Sequence, residues 1–288
     1  MLQQATPLDL EEGLLVSASY SGEKQRAVLK LYNPRDERMY LSYDESGHKP
    51  YCFSDLSPDE LMAIPQLASH PGLEKLEQVK KYEPLGDEER LYTKIVAEDP
   101  LSIGGKPSGS IRDIIPKAWE ADIRYYECYI FDRDIKVGMS YRIQDGHLVE
   151  VPYEVPGEVA DAIKKLFGKE PPEVQEHIMR WVNLLECPVP EYRRIALDIE
   201  VGSPVAVRVP NPEQAEDPVI TVGFVDHEDL GQVFLLKREG IELGELPKTA
   251  QVRFFEDERS LLEATFSVIA EYPFVITFNG DDFDLRYL

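Results

Sequence analysis

The sequence predicts an α+β domain at the N-terminus, followed by an α/β domain that is rich in strands. Three observations support this division. Strands and short helices alternate without a regular order up to about residue 145. Two helical patterns follow within residues 146–190. From residue 191, five apolar strand patterns and one helix succeed each other. The 288 residues allow two ordinary domains, and a hydrophobic content of 43% suffices for two cores.

Strands in the first region are predicted where β-branched and aromatic residues cluster between turn residues. They span 14–20, 25–32, 39–43, 50–53, 76–82 and 91–97. Ser57 and Glu60 form a capping box around a proline, which predicts a helix from there to about Ala68. Further helices are predicted over 110–115 and 117–131, after a glycine-rich loop at 104–109.

The remaining elements follow from the same signals. Helices are predicted over 157–167 and 172–185, with a break of glycine and proline between them. Asp257 is the expected N-cap of a helix over 258–272. Strands are predicted over 194–201, 218–225, 232–237, 251–255 and 273–278.

Charge narrows the function classes. Lys and Arg number 31 against 54 Asp and Glu, and the formal net charge is −23. The acidic excess is spread along the chain, with −11 in residues 191–288 and −12 in residues 1–190. Charge alone argues against nucleic-acid binding, because phosphate contacts need lysine and arginine. If the chain binds DNA nonetheless, we expect a weak and salt-sensitive affinity.

Composition also points away from membranes and secretion. No apolar run has the length of a membrane span, and the N-terminus lacks the features of a signal peptide. Cys52, Cys128 and Cys187 are far apart and suit neither a zinc site nor a disulfide framework. We expect each to be a small buried apolar residue in a reducing, intracellular setting. The five histidines show no ligand spacing, and His48 is expected to be a turn residue.

The strongest functional signal is a pair of acidic segments towards the C-terminus. In the strand over 194–201, apolar residues flank the carboxylates of Asp198 and Glu200. Their spacing places both on one face of the strand, where two like charges are costly unless a cation neutralises them. Carboxylate oxygens suit Mg²⁺ or Mn²⁺.

The second acidic segment follows the apolar run 273–276 and begins with the turn-forming pair Asn279–Gly280. A helix is predicted to begin after this turn, with Asp281 or Asp282 as its N-cap. Asp284 would then project beside the sheet and complete a carboxylate cluster with the first segment. Two ions held by such a cluster can clamp the attacking and leaving oxygens of a phosphodiester.

These motifs carry a family resemblance. Asp-Ile-Glu at 198–200, followed by Thr-Phe-Asn-Gly-Asp-Asp-Phe-Asp-Leu at 277–285, resembles the first and second exonuclease motifs of family B DNA polymerases. The segments 47–51 and 99–132 resemble the N-terminal domain of archaeal members, most of all the crenarchaeal ones. The resemblance covers nearly the whole chain. It implies an N-terminal domain over 1–145, a helical connector over 146–190 and a ribonuclease-H-like 3′–5′ exonuclease domain over 191–288.

The resemblance implies metal-dependent proofreading, with Asp198, Glu200 and Asp284 as catalytic residues and as ligands of two Mg²⁺ or Mn²⁺ ions. Asp281 and Asp282 are expected to be caps rather than ligands.

The second motif also implies contacts with DNA. Asn279 and Phe283 would position a single-stranded 3′ end. Phe278 is either a platform on which a base stacks or an ordinary core aromatic. The family's third exonuclease motif and its polymerase domain would lie beyond Leu288. We therefore expect an N-terminal, truncated part of a DNA-directed DNA polymerase with little or no nuclease activity by itself.

The same resemblance implies partners. These are single-stranded and primer–template DNA, the remainder of a polymerase chain, and a sliding clamp reached through regions outside this chain. The expected location is the nucleoid in the cytoplasm, with no membrane contact.

Archaeal members of the family also carry a pocket that captures uracil in template DNA. Eight positions of this chain correspond to that pocket by resemblance, and all but Arg124 match its residues: Tyr20, Pro50, Tyr51, Arg112, Ile123, Arg124, Tyr125 and Asp132. Arg124 departs from the pattern, because many relatives have proline there, and the loop over 104–109 is longer and richer in glycine. Such a pocket separates uracil from thymine by excluding one methyl group. The alternative is that its tyrosines are ordinary core or strand aromatics.

Three readings of the chain therefore remain open. The first is a polymerase fragment with part of a proofreading site and a uracil sensor. The second is a stand-alone 3′–5′ exonuclease, against which the absent third motif counts. The third is a non-catalytic module that binds DNA or assembles with the other part of a split polymerase.

Overall fold

The computed structural model describes residues 10–105, 109–144, 146–203, 210–238, 240, 245 and 248–288. The chain divides into two compact units. The N-terminal unit ends at Pro188, and the C-terminal unit runs from Val189 to Leu288 and includes the short segment Pro34–Arg38. The boundary predicted at residue 191 lies close to this division. Residues 106–108 of the predicted glycine-rich loop lie outside the described residues.

The N-terminal unit contains eight strands and seven helices among its described residues. In chain order they are β1 (Leu10–Ser21), β2 (Arg26–Asn33), β3 (Arg38–Tyr43), β4 (Tyr51–Ser54), α1 (Pro58–Met62), α2 (Pro65–Ala68), β5 (Leu73–Glu83), β6 (Glu88–Ala97), α3 (Pro100–Ile103), α4 (Ile111–Ile114), α5 (Tyr125–Asp132), β7 (Ser140–Gln144), β8 (His147–Glu150), α6 (Gly157–Phe167) and α7 (Pro172–Glu186). All six strands predicted for this region are confirmed. The strands β7 and β8 and the helix α3 were not predicted.

The first sheet has the strand order β3-β2-β1-β7-β8. Strand β1 pairs antiparallel with β2 in the predicted hairpin, and with β7 on its other side. Leu15, Leu29 and Leu31 of this sheet are buried and pack with Tyr125 and Tyr129 of α5. The helix α5 is therefore fixed against the sheet by its aromatic side chains.

The second sheet has the order β4-β6-β5, with antiparallel pairing throughout. One face buries Cys52 and Ile95 against the short helices α1, α2 and α4. The other face carries Tyr51 and Phe53, which pack with Cys128 of α5. Cys52 and Cys128 are thus small buried residues, as predicted, whereas Cys187 is half-buried.

Two helix predictions differ from the structure. The Ser57 capping box forms as predicted, but the helix stops before Pro65 and restarts there as α2, because the residue before a proline avoids the helical conformation. The helix predicted from residue 117 begins only at Tyr125. Trp119 instead pairs with Phe53 through two backbone hydrogen bonds of 3.0 and 2.8 Å, and tertiary pairing overrides the local pattern.

The C-terminal unit contains five strands and two helices among its described residues. They are β9 (Arg194–Val201), β10 (Val219–Asp226), β11 (Gly231–Leu236), β12 (Ala250–Phe255), α8 (Glu258–Ile269), β13 (Phe274–Ile276) and α9 (Asp284–Tyr287). The strand order is β12-β11-β10-β9-β13. Strand β9 is antiparallel to β10 and parallel to β13, and β12 is parallel to β11. All five predicted strands and the predicted helix are confirmed.

Helix α8 covers one face of this sheet. Asp257 caps it as predicted, since its side chain accepts a hydrogen bond of 2.9 Å from the Ser260 amide. Leu261 is fully buried in one core cluster with apolar residues of β9, β10 and β11. Among the described residues, no helix combines the length and the apolar character needed to cross a membrane.

Candidate functional site

The strand β9 presents two carboxylates on one face. Along this strand Ile195, Leu197 and Ile199 are buried, whereas Asp198 and Glu200 are exposed. The alternation follows from the geometry of a strand, in which successive side chains point to opposite faces. The buried side chains belong to the same core cluster as Leu261 of α8, so the two carboxylates lie on the opposite face of the sheet.

Asp284 approaches the same strand from its edge. Its side chain is buried, with 4% of its surface exposed, and its Oδ1 accepts a hydrogen bond of 3.2 Å from the amide of Ile199. The pairing of β13 with β9 stops at Ala196. Beyond that point the carboxylate of Asp284 takes the place of a neighbouring strand, bound to the peptide between the two predicted ligands.

The donor chemistry of these residues fits a hard divalent cation, because all three side chains offer carboxylate oxygens. Within the residues that the structure describes, however, no three Asp, Glu, His or Cys side chains come close enough to hold a metal together. Asp284 is beside β9, but its carboxylate has not joined those of Asp198 and Glu200. Their role as ligands stays a prediction.

The turn before α9 has an unexpected geometry. Phe283, and not Asp281 or Asp282, is the N-cap of α9, and it makes no side-chain capping bond. The predicted caps are wrong, because the amides of Asp282 and Phe283 both donate to the carbonyl oxygen of Asn279 and close the turn within the backbone. The two aspartates are exposed instead.

The aromatic residues of the second motif have different environments. Phe278 is 93% exposed, so the expectation that it is a core aromatic is wrong. Phe283 is partly buried and packs with Tyr287 at a ring distance of 5.5 Å. Asn279 is exposed and adopts a positive φ of 58°, which asparagine tolerates better than most residues. An exposed ring next to a fixed turn is available for stacking, whereas Phe283 is held by the core.

The N-terminal unit contains a cavity of about 240 Å³. Six of the eight residues predicted for the uracil pocket line it: Pro50, Tyr51, Arg112, Ile123, Arg124 and Tyr125. Sequence reasoning missed Pro100, Ile103 and Gly104, which also line it and come from α3 and the residue after it. The glycine-rich composition of that loop was the available signal.

Tyr20 does not line this cavity but contacts Tyr125, which does. Its ring meets Tyr125 edge-on at 4.9 Å. Its hydroxyl is buried without a hydrogen-bond partner among the described residues, and burial raises its pKa. Tyr20 therefore fixes the position of the Tyr125 wall.

Asp132 also lies outside the lining of the cavity. It links two other residues, Tyr51 and His48. It accepts a hydrogen bond of 2.9 Å from the Tyr51 hydroxyl, and it contacts Nε2 of His48 at 2.9 Å. His48 packs edge-on against Tyr51, Tyr125 and Tyr129, so it is more than the turn residue expected. Its place two residues before Pro50, within a family-like segment, was the one signal in the sequence.

The tyrosines of the cavity are held in their neutral form. Burial raises the pKa of Tyr51, and the hydrogen bond to Asp132 raises it further. Burial likewise raises the pKa of Tyr125, whose hydroxyl donates to the carbonyl oxygen of His48 at 3.0 Å. Both phenols thus act as fixed donors that hold the wall of the cavity.

Two arginines, Arg112 and Arg124, line the cavity. Nη1 of Arg112 contacts Asp122 at 2.7 Å. Its side chain runs past Gly104, where a Cβ would lie 3.0 Å from three of its atoms, so an alanine there would require the Arg112 side chain to shift by a few tenths of an ångström. Nη1 of Arg124 donates to the Tyr126 hydroxyl at 3.1 Å, which raises the pKa of the guanidinium. The cavity therefore has apolar and aromatic walls, with two arginines and one acid, Asp122, in its lining.

A comparison with protein-family models matches residues 117–288 to the model described as DNA polymerase family B, exonuclease domain. The chain is similar to curated proteins named DNA polymerase 1. It is 38% identical to that of Sulfolobus acidocaldarius over 275 residues, covering 95% of this chain and 31% of the relative. The one from Aeropyrum pernix is 36% identical over 286 residues, covering 96% and 29%. The chain thus spans about a third of the length of these relatives.

Among solved structures, the fold is similar to a family B DNA polymerase from the hyperthermophilic archaeon Pyrobaculum calidifontis. The TM-score is 0.58 and the identity is 16%, over 96% of this chain and 31% of that one. At this identity the similarity is evidence for the fold alone.

Proposed function

Because the chain belongs to DNA polymerase family B, we propose that it contributes 3′–5′ proofreading and template-uracil recognition to a DNA-directed DNA polymerase. The C-terminal unit is the proofreading part, a ribonuclease-H-like exonuclease domain. The N-terminal unit, with its helical connector, is the part that meets the template strand. Single-stranded and primer–template DNA, the rest of a polymerase chain and a sliding clamp are the proposed partners, and the nucleoid is the proposed location.

The hydrogen bond from the Ile199 amide to Asp284 is the observation that carries the proofreading proposal. It ties the carboxylate of the second motif to the strand of the first. Asp198 and Glu200 flank that amide on β9, and their backbone is held on one side by the pairing with β10. A divalent ion bound there would supply the charge that stabilises the oxygens of a phosphodiester during its cleavage. Asn279 and the exposed ring of Phe278 would contact the unpaired 3′ end, and Phe283 would support them from the core.

Binding of Mn²⁺ tests this proposal without requiring activity. At about one hundred times its Kd, an ion bound only to the folded state adds about 2.7 kcal/mol to the free energy of unfolding. We expect Mn²⁺ to stabilise the C-terminal unit in chemical denaturation, and Asp198→Asn to remove most of this gain.

Glu263→Gln is the matched control for Asp198→Asn. Glu263 is an exposed acid on α8, which packs on the face of the sheet opposite to the two carboxylates. This variant should keep the full response to Mn²⁺. An equal loss of response in both variants would mean that Mn²⁺ acts through the overall acidic charge, and the proposal would fail.

The uracil proposal rests on a different observation, the convergence of six separately predicted residues on one cavity. These residues come from β4, α4 and the segment that enters α5, so they are distant in sequence and adjacent in space. The apolar wall of Pro50 and Ile123 would exclude the methyl group of thymine, and the arginines would hold the adjoining phosphates. Flipping the base out of the strand costs least in single-stranded DNA.

Fluorescence anisotropy with a labelled single-stranded oligonucleotide tests the uracil proposal. At low salt with EDTA, an oligonucleotide with one uracil should bind about tenfold more tightly than its thymine twin. One additional methyl group typically changes the free energy of binding in a pocket by about 1–3 kcal/mol. Ile123→Ala should shorten the wall, admit thymine and reduce this ratio.

The control for that experiment is Arg142→Ala, which removes an exposed charge on β7 outside the cavity. It should lower both affinities slightly and leave the ratio unchanged. Equal binding of the two oligonucleotides, or an Ile123→Ala variant with the parent ratio, would overturn uracil recognition and leave the proofreading proposal untouched.

A further inference from the structure

A second pocket, of about 430 Å³, lies on the β5–β6 side of the three-stranded sheet. Three aromatic and three basic residues are among those that line it: Phe53, Tyr92, Trp119, Lys81, Arg90 and Lys117. We call it the Trp119 pocket. It is separate from the predicted uracil cavity, with which it shares no lining residue. Neither the sequence motifs nor the family match assigns it a role.

Trp119 is both exposed and rigidly held. About 40% of its surface is exposed. Its backbone exchanges two hydrogen bonds with Phe53, and its indole Nε1 donates to Asp55 at 2.7 Å. A ring whose position is fixed in advance loses little conformational entropy on binding, which is why such aromatic rings are favoured at contact sites.

Positive charges surround the aromatic rings of this pocket. The Lys117 amine lies 3.6 Å from the centre of the Trp119 ring, and the Lys81 amine lies 4.0 Å from that of Phe53. The acids of the lining are engaged, since Glu120 pairs with Lys81, Asp55 accepts from the indole, and Glu83 accepts from the amides of its own turn. Arg90 pairs with the exposed Glu88 at 2.7 Å, an ion pair that a phosphate would have to replace. Acidic residues outnumber basic ones by 54 to 31 in the chain, yet basic and aromatic side chains occur together in this pocket.

The two pockets meet along β4. Tyr51 lines the predicted uracil cavity, Phe53 lines the Trp119 pocket, and their rings are 5.2 Å apart on the same face of the strand. A strand that entered one pocket would therefore have the other within reach of a neighbouring nucleotide.

We propose that the Trp119 pocket binds an unpaired DNA strand, with one base stacked on the indole and the adjoining phosphates bound by Lys117 and Arg90. Aromatic rings combined with basic side chains are the usual means of binding single strands without regard to sequence. The site needs no uracil, so it acts independently of the proposed capture of that base.

The experiment uses the intrinsic fluorescence of the indole. The chain has two tryptophans, and Trp181 is exposed on α7 outside the pocket. In a Trp181→Phe background, oligothymidine at low salt should quench the emission of Trp119. An abasic strand of equal charge should quench far less, because it has phosphates but no bases to stack.

Variants complete the test. Trp119→Ala should weaken oligothymidine binding about tenfold, as is typical for the loss of one stacking ring, whereas Trp119→Phe should retain most of the affinity. Lys117→Ala should weaken binding and reduce its dependence on salt. The Arg142→Ala variant serves as the charge control and should lower the affinity only slightly.

Several outcomes would overturn the proposal. One is no quenching of Trp119, and another is equal quenching by the abasic strand. A third is an unchanged affinity in Trp119→Ala. Because every strand in this experiment lacks uracil, failure here says nothing against the uracil cavity, and failure of uracil discrimination says nothing against this pocket.

Discussion

Between about pH 9 and about pH 11, the N-terminal unit should lose much of its stability. Burial raises the pKa of the Cys128 thiol to about 11 and that of the Cys52 thiol to about 12. Burial also raises the pKa of Tyr51, Tyr125 and Tyr129 above the ordinary value. The five groups are almost fully buried in this one unit.

Stability falls with rising pH because the unfolded state loses these protons at a lower pH than the folded state. In the unfolded chain these thiols and phenols lose their protons at ordinary values, while the folded chain keeps them. Their stabilising contribution is therefore complete below the unfolded pKa and is lost as the pH rises towards the folded pKa. Each group lowers the free energy of unfolding by about 1.4 kcal/mol per pH unit within its own window. Together they produce a steep alkaline transition.

Urea denaturation followed by circular dichroism across this pH range measures the slope. Cys52→Val removes one titrating group that has no hydrogen-bond partner to lose, and it keeps an apolar side chain of similar size. This variant should show a shallower loss of stability than the parent at alkaline pH. The prediction fails if the N-terminal unit keeps its full stability at about pH 11, or if the variant has the parent slope.

Gly280→Ala should destabilise the C-terminal unit by about 1–3 kcal/mol, the usual cost of overpacking. A Cβ at Gly280 would lie 2.2 Å from Oγ1 of Thr277 and 2.4 Å from its Cβ. Rotation of the threonine side chain cannot relieve the second contact, so the backbone must shift. The carbonyl oxygen of Gly280 accepts the Leu285 amide at 2.8 Å, and the shift should displace Asp284 as well.

Chemical denaturation and the response to Mn²⁺ measure both consequences. Thr277→Gly in the Gly280→Ala background removes the opposing Cβ and should restore most of the stability. Gly157→Ala is the control, since a Cβ there meets nothing within 4 Å. A stable Gly280→Ala variant, or a double variant no better than the single one, would contradict this account of the turn.

The elements that the sequence predicted best are those in which local signals and tertiary packing agree. The alternation along β9 and the cap at Asp257 are examples, because both follow from patterns within a few residues. The family resemblance read from the two acidic motifs is also confirmed.

The failures arose where contacts between distant residues decide the structure. Trp119 leaves the helix predicted around it because Phe53, far away in the sequence, takes its backbone hydrogen bonds. The link from Asp132 to His48 and Tyr51 spans more than eighty residues and leaves no periodic signal. Gly280 was expected to break a strand, but its close contact with Thr277 depends on the fold of the turn and could not be predicted.

The early end of β13 has a consequence for self-association. A strand without a neighbour exposes amide groups that another chain can pair with, and such edges promote aggregation. Along β9 this edge opens beyond Ala196, where a buried carboxylate occupies the Ile199 amide. With that amide already bonded to Asp284, an incoming strand finds one donor fewer to pair with. Asp284 thus disfavours pairing between this edge of the sheet and a second molecule.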